Sequence, residues 1–532
     1  MASSLTKSTT ARLVTQSTLS IARRSECARC FATSVESSKG KKRERIVILG
    51  SGWAGYAFAR KLDPAKYERI IISPRSYFVF TPLLASTSVG TLEFRTILES
   101  VRRLGDVEFH QGWADDIDFS RKLIRVEENQ ADDLSSQTIL PPPKKSPESN
   151  EIQVEPPQIP KGPVMDVGYD KLVIAVGAYS QTFGIDGVRQ HAHFLRDIGD
   201  ARRVRLRVLS LFEQCSSPTI SEENRHKLLH FAVVGGGPTG IEFAAELHDL
   251  IHDDLSKIYP DLVKYAKITV YDISPKILPM FDQALASYAM RAIQKQNIDI
   301  KTAHTIQRVR PDTDSTGGLK IKIKEYGDEE VGAGIVVWST GLMQNPLIEK
   351  LMSKSLSGAL PVEGQEAPRE FRLERDSKTG GIITDGRFRA QLADSTALKG
   401  DNTATNGPAA GLQTQILNDV FVIGDCAVIS DQPTLPKTAQ VASQEASYLA
   451  KALNKGSMEE EKPFAFRNLG TMTYLGNWKA LFQGTSGDLT GFMAWVLWRG
   501  AYLTKSMSWK NKLLIPVYWF VSWVFGRDIS RF

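Results

Sequence analysis

Cysteine is scarce in this chain: four residues in 532, two of them, Cys27 and Cys30, close to the N-terminus. Cys215 and Cys426 are far apart, and the body of the chain has no CxxC or CxxxxC pair. That excludes a disulfide framework and argues against redox chemistry through a dithiol. The eight histidines form no cluster with cysteine at ligand spacing, so no metal site is expected. One stretch, Asp312-Thr313-Asp314-Ser315-Thr316-Gly317, begins like a calcium loop. Its twelfth position is Ile323, where a bidentate Glu belongs, so a calcium site is rejected. Long apolar runs are also missing. The longest, Leu513 to Phe525, has about thirteen residues and contains Pro516, whereas a spanning helix needs ~20. No basic recognition helix or nucleic-acid motif is present, so nucleic acid is not an expected partner.

Acids are nearly absent from residues 1–31, where Glu26 stands against Lys7, Arg12, Arg23, Arg24 and Arg29 among many Ser and Thr. This basic, hydroxyl-rich pattern predicts a mitochondrial transit peptide, with Arg29-Cys30-Phe31-Ala32 resembling a matrix-protease cleavage site. Its removal brings the formal charge of +6 close to neutral. Ala32 to Glu44 is polar rather than a hydrophobic stop segment, which favours the matrix face of the inner membrane.

Two glycine-rich turns dominate what is present. Ile46 to Leu49 reads as a buried parallel strand and runs into Gly50-Ser51-Gly52-Trp53-Ala54-Gly55, followed by a helix-compatible stretch. Gly50 permits the tight turn, Gly52 lets the backbone approach a pyrophosphate, and Gly55 allows close helix–strand packing. The helix N-terminus offers unpaired N–H groups to that anion. Leu229 to Val234 repeats the grammar with Gly235-Gly236-Gly237-Pro238-Thr239-Gly240 and a second helix. The acid expected at the next strand end is Asp272, which would bind both ribose hydroxyls and repel a 2′-phosphate, favouring NADH over NADPH. The interval from turn to acid is long, and a longer or inserted helix over His248–Ala266 would account for it. In the first unit the matching position is Ser73, not an acid, and Arg75 follows. Two further apolar strands end at Gly177 and Gly341, and Val420 to Gly424 places Asp425 where an acid can bind flavin ribityl hydroxyls.

With these features the sequence resembles the type II NADH dehydrogenases, the single-chain alternative NADH:ubiquinone oxidoreductases of fungal, plant and bacterial membranes. The most specific parts are Ser73-Pro74-Arg75-Ser76-Tyr77-Phe78 with Phe80-Thr81-Pro82-Leu83-Leu84, then Gly240-Ile241-Glu242-Phe243. Ala439-Gln440-Val441-Ala442-Ser443-Gln444-Glu445-Ala446 and the aromatic tail complete the match. The resemblance implies an α/β fold of two Rossmann-like dinucleotide-binding domains, the two-dinucleotide-binding flavoprotein fold, with a C-terminal amphipathic membrane-anchoring region. It implies FAD and NADH as cofactors and hydride transfer onward to ubiquinone without proton pumping. The FAD side takes Gly50, Gly52, Gly55, Ser73, Arg75, Thr81, Pro82, Leu83, Gly177, Asp425 and Ala439. The NADH side takes Gly235, Gly237, Gly240, Asp272 and Gly341. Gln440 and Gln444, one helical turn apart, are implied on the quinone side. Glu242 would orient the nicotinamide or assist proton balance, or be only a helix N-terminal acid.

The expected division is a transit peptide at 1–31, an FAD-binding part at 42–229, an NADH-binding part at 230–345 and a second FAD-binding part at 346–456. Residues 457–532 form the anchor or dimerisation region, with a homodimer expected. Residues 131–163, rich in Pro, Ser, Lys and Glu, read as a disordered insertion, and about 355–418 as a second one. The tail from Gly491 holds five of the nine tryptophans and six bases against one acid. Such short aromatic-basic segments suit a helix lying in the lipid interface. Two rivals share the turns. A sulfide:quinone or disulfide reductase needs paired cysteines, which are lacking. An NAD(H)-responsive signalling flavoprotein similar to apoptosis-inducing factor would be favoured by a basic nucleic-acid-binding surface.

Overall fold

In strand β1 (Glu44–Leu49) every residue from Ile46 to Leu49 is buried, because protein covers both faces. Ile46 and Ile48 enter one core while Val47 and Leu49 enter another. The computed structural model describes residues 43–129, 161–313, 317–356, 371–394, 415–485 and 487–530. The expected transit peptide lies outside them. From β1 the chain turns into helix α1 (Trp53–Lys61), and β1 pairs in parallel with β2 (Tyr67–Ser73) and with β3 (Lys171–Ile174).

Helix α2 (Ile198–Ser216) leads to a second unit built the same way. Strand β4 (His230–Val234) runs into helix α3 (Pro238–Asp249) and lies between β5 (Lys267–Tyr271) and β6 (Ile335–Trp338). These belong to a five-stranded sheet, parallel throughout. Phe231 and Val233 share the core that receives Ile46 and Ile48, whereas Ala232 and Val234 face a core of their own. The central core therefore joins the inner faces of the two sheets. Helix α3 continues as a π-helical segment, Leu250–Leu255, and a short helix, Ser256–Ile258. This prolonged helix is what lengthens the interval before Asp272.

The chain then returns. Strand β7 (Gln415–Val422) pairs in parallel with β3, so the first sheet is completed by residues far beyond the second unit. Strands Phe371–Leu373, Ile382–Thr384 and Arg389–Asp394 join the same sheet. Within the insertion expected over about 355–418, residues 371–394 form strands of this sheet. Its Gly and Asp punctuation marks turns of a meander, such as the one closed by Gly380 N–H on Asp376 O at 2.9 Å. Residues 357–370 and 395–414 lie outside the described residues, as do 130–160. Residues 161–163, expected in the first insertion, open the strand Lys161–Gly168, which pairs with Leu123–Asn129.

Helix α4 (Ala439–Lys455) packs along α1. A three-stranded meander follows, opening with β8 (Thr471–Tyr474), and then helices α5 (Phe492–Lys505) and α6 (Trp509–Phe525) end the fold. Among the described residues no helix is long and apolar enough to cross a membrane.

Candidate functional site

The two glycine turns have the same internal geometry. At Gly50 φ is +106°, and an added Cβ would stand 2.3 Å from Ala175 O; at Gly235 φ is +117°. A Cβ on Gly55 would stand 2.0 Å from Gly50 O, and one on Gly240 also 2.0 Å from Gly235 O. Helix and turn thus touch backbone to backbone in each unit, as the third glycine requires. Gly52 and Gly237 have open space on the Cβ side, the room a phosphate would need.

A cavity of about 600 Å³ opens over the first turn. Gly50, Gly52, Ser73, Arg75, Thr81, Pro82, Gly177 and Asp425 line it from the first unit, with Ala439 at the N-terminus of α4. Glu242 and Gly341 reach it from the second unit, and Met472 and Tyr502 from the C-terminal part. Gly55 and Leu83 do not line it: Gly55 packs under the turn and Leu83 is fully buried in the core. Gly235, Gly237, Gly240 and Asp272 form a separate feature beside it. There Asp272 ends β5, its carboxylate accepting from Gly236 N–H and, at 2.6 Å, from Ser274 N–H.

Where an acid was missing, the first unit has a hydroxyl pair, with Ser73 Oγ 2.9 Å from Ser51 Oγ. Arg75 Nη1 donates to Asp197 Oδ2 at 3.0 Å. Asp197 in turn caps α2, forming a capping box with Asp200. Just before that cap stands Arg196, which the sequence reading did not select. It lines the cavity, its Nη1 is buried without a partner, and its Nη2 is 3.9 Å from Asp425 Oδ2. A half-buried guanidinium whose Nη1 is an idle donor, lining the same cavity as an open glycine turn, fits an anionic dinucleotide. The residues present therefore fit FAD: the turn at Gly50 and Arg196 for the pyrophosphate, and Asp425 with the N-terminus of α4 for the ribityl and ring end. The only sequence signal for Arg196 is the Asp197–Asp200 spacing that starts a helix immediately after it.

Two buried carboxyls border this cavity or its wall. Glu242 accepts from Tyr474 N–H at 3.1 Å, and burial pushes its pKa up to about 8. Glu445 accepts from Gly424 N–H at 2.6 Å, and burial pushes it up to about 7. Gln440 and Gln444 are elsewhere. The amide of Gln440 bonds Gly470 O (3.2 Å) and Leu469 N–H (3.0 Å), and that of Gln444 bonds Arg467 O (2.8 Å) and Arg467 N–H (3.0 Å). Neither lines the cavity. Their equal spacing along α4 matches the spacing of a neighbouring extended backbone, which occupies both side chains. In the stretch rejected as a calcium loop, Asp312 pairs with Lys320 at 3.1 Å, and residues 314–316 lie outside the described residues.

The family model for pyridine nucleotide-disulphide oxidoreductases matches residues 44–363, and that for the NDH2 C-terminal domain matches residues 468–528. A probable NADH dehydrogenase of Dictyostelium discoideum is 36% identical, covering 92% of this chain and 91% of its own length. The chain belongs to the type II NADH dehydrogenase family. An external alternative NAD(P)H-ubiquinone oxidoreductase B1 of Solanum tuberosum mitochondria is 31% identical over 92% of this chain and 91% of that protein. Among solved structures, NDH2 of Plasmodium falciparum in complex with NADH matches with a TM-score of 0.73 at 23% identity. It covers 92% of this type II dehydrogenase and all of that chain, which establishes the shared fold.

Proposed function

We propose that this type II dehydrogenase takes a hydride from NADH, passes two electrons to ubiquinone, and pumps no protons. FAD, when bound, supplies the ring that accepts the hydride and hands on the electrons. The observation that carries the reading is one cavity walled by both dinucleotide units and by the C-terminal part. Gly52, Arg196 and Asp425 hold the flavin end, while Thr239, Glu242 and Gly341 present the nicotinamide side. Asp272, at the end of β5 beside the second turn, supports NADH over NADPH. Glu242 holds a proton at Oε where nicotinamide and acceptor approach. Gln440 and Gln444 act at a distance, fixing the segment 467–470 next to β8. The deciding assay is anaerobic: NADH bleaches the flavin absorbance of the purified holoenzyme, and a soluble ubiquinone analogue restores it. Unbleached flavin refutes the activity.

The finer placement rests on α5 and α6. Their buried sides are Ala494, Trp495, Trp498, Ile515 and Trp519, whereas Phe492, Met493, Trp509, Leu513, Phe520 and Phe525 are exposed. Such a rim of large apolar side chains beside Lys505, Lys510 and Lys512 supports seating on the inner-membrane lipid surface, and the polar stretch from Ala32 to Glu44 supports the matrix side. Pairing of two copies through part of the same face is expected alongside it.

A further inference from the structure

Reduction of a quinone by NADH takes one proton from solvent: NADH + H⁺ + quinone gives NAD⁺ + quinol. The hydride and one proton together complete the two O–H bonds of the quinol. A proton must therefore reach the acceptor end of the dinucleotide cavity in every turnover. Glu242, Glu246 and Asp249 stand at i, i+4 and i+7 of α3, on one helix face. All three are buried, with 8%, 5% and 6% of their surface exposed.

The two ends of this row open on different spaces. Glu242 borders the dinucleotide cavity. Glu246 and Asp249 border a second cavity of about 960 Å³ between α3 and helices α5 and α6. Tyr474 of β8 bridges the ends: its N–H donates to Glu242, and its hydroxyl donates to Asp249 Oδ2 at 2.7 Å. Glu246 accepts from Ser86 Oγ at 2.5 Å and from Thr91 Oγ1 at 2.8 Å. Thr91 Oγ1 itself accepts from Arg527 Nε at 2.9 Å. Burial raises the Glu246 pKa, with Arg527 opposing it.

Charges face this row from several elements. Arg499 of α5, its guanidinium 4.3 Å and 4.4 Å from the Trp495 and Trp519 ring centroids, borders the second cavity, as does Arg527 after α6. His248 of α3, His252, Asp253 and Asp254 of its π-helical continuation and Lys257 of the short helix after it complete the charged lining.

We propose that Glu246 and Asp249 relay protons from this second cavity along α3 to Glu242, making the space under the C-terminal helices the way in for the proton. Water in the cavity brings the proton to Asp249, which passes it to Glu246 beside the Ser86 and Thr91 hydroxyls, and Glu246 passes it to Glu242. No group is oxidised along the row; each carboxyl gains and loses one proton per turnover. Glu246 is a positioning residue for that transfer, since it touches neither dinucleotide. The relay rests on the quinone-reducing reading of the dinucleotide cavity.

The test uses the full-length holoenzyme and Glu246→Gln, with Asp249→Asn as a second variant should the first fail to retain flavin. The wild type must first be reduced by NADH and reoxidised by the ubiquinone analogue; failure there sinks the activity, not the relay. In the variant, flavin reduction by NADH is expected to stay within twofold of wild type, since it needs no added proton. Reoxidation by quinone is expected to fall at least tenfold at alkaline pH, recover as pH is lowered, and regain rate in Glu246→Asp. Infrared difference spectra of the oxidised holoenzyme between acid and alkaline pH should lose a protonated-carboxyl C=O band in Glu246→Gln. Wild-type reoxidation with an unchanged solvent isotope effect would overturn the relay, and so would equal slowing of both half-reactions.

Discussion

Glu242 keeps its proton well above the ordinary carboxyl range because α3 carries it beneath β8 and Tyr502, away from water. The sign of the resulting pH dependence follows. An unfolded Glu ionises from 4.5, whereas the folded one holds its proton to about 8. Unfolding between those values releases a proton, so stability falls as pH rises through that window, by up to roughly 5 kcal/mol when complete. Glu242→Gln is therefore expected to raise the melting temperature at pH 8 to 9 and to give no gain near pH 4.5, as read by calorimetry. A second residue-scale expectation concerns nucleotide choice. Asp272→Ala should raise KM for NADH about tenfold and narrow the preference over NADPH, because a charge-assisted ribose contact of about 1.5 kcal/mol or more is lost. Unchanged selectivity in steady-state kinetics removes Asp272 from that role. The glycines were legible in the sequence because a tight turn between strand and helix is a local signature. Arg196 was not: its idle donor depends on how α2 approaches the turn after Asp425, and nothing within ten residues of it announces a ligand.

Elements were readable where a period was clear and ambiguous where turns are frequent. The parallel strands β1 and β4, with all-apolar runs, stand where their sequences put them. The strands of residues 371–394 are hard to see in the sequence, because Gly and Asp punctuate a meander of short strands as densely as they punctuate a loop. Helix α4 shows a different limit. Its glutamines repeat every turn, a pattern equally suited to two groups on one ring or two clasps on one backbone. The structure has them clasping residues 467–470, which lead directly into β8 and so to Tyr474 and Glu242. Replacing both Gln440 and Gln444 by Ala removes four hydrogen bonds and should cost about 2–4 kcal/mol of stability. By loosening β8 it should also slow flavin reoxidation by quinone more than flavin reduction by NADH. Stopped-flow absorbance on the double variant decides it; equal effects would leave the clasp purely structural.

At the scale of the whole molecule, the aromatic and basic tail was recognisable from composition, but which side of each helix faces inward was not. Trp495, Trp498 and Trp519 close over the second cavity while Trp509 and Trp523 are 81% and 67% exposed. Neutralising Lys505, Lys510 and Lys512 to Gln should weaken binding to phosphatidylcholine vesicles containing cardiolipin by roughly 100-fold at low salt, at ~1 kcal/mol per base. Sedimentation with neutral vesicles as a control checks it; undiminished binding would remove those lysines from the contact.

The return of β7 to pair with β3 also sets an order of events for a chain made from its N-terminus. The sheet that carries β1 and the first glycine turn lacks a central neighbour until residue 422 has been synthesised. The second sheet is complete once β6 ends at Trp338. The nucleotide half is thus able to fold first and wait as a finished island while the flavin half closes around it. Chains arrested near residue 345 should resist limited proteolysis over 193–338 and yield between 44 and 129. Flavin capture then becomes a late step of biogenesis, available only after nearly the whole chain has been delivered.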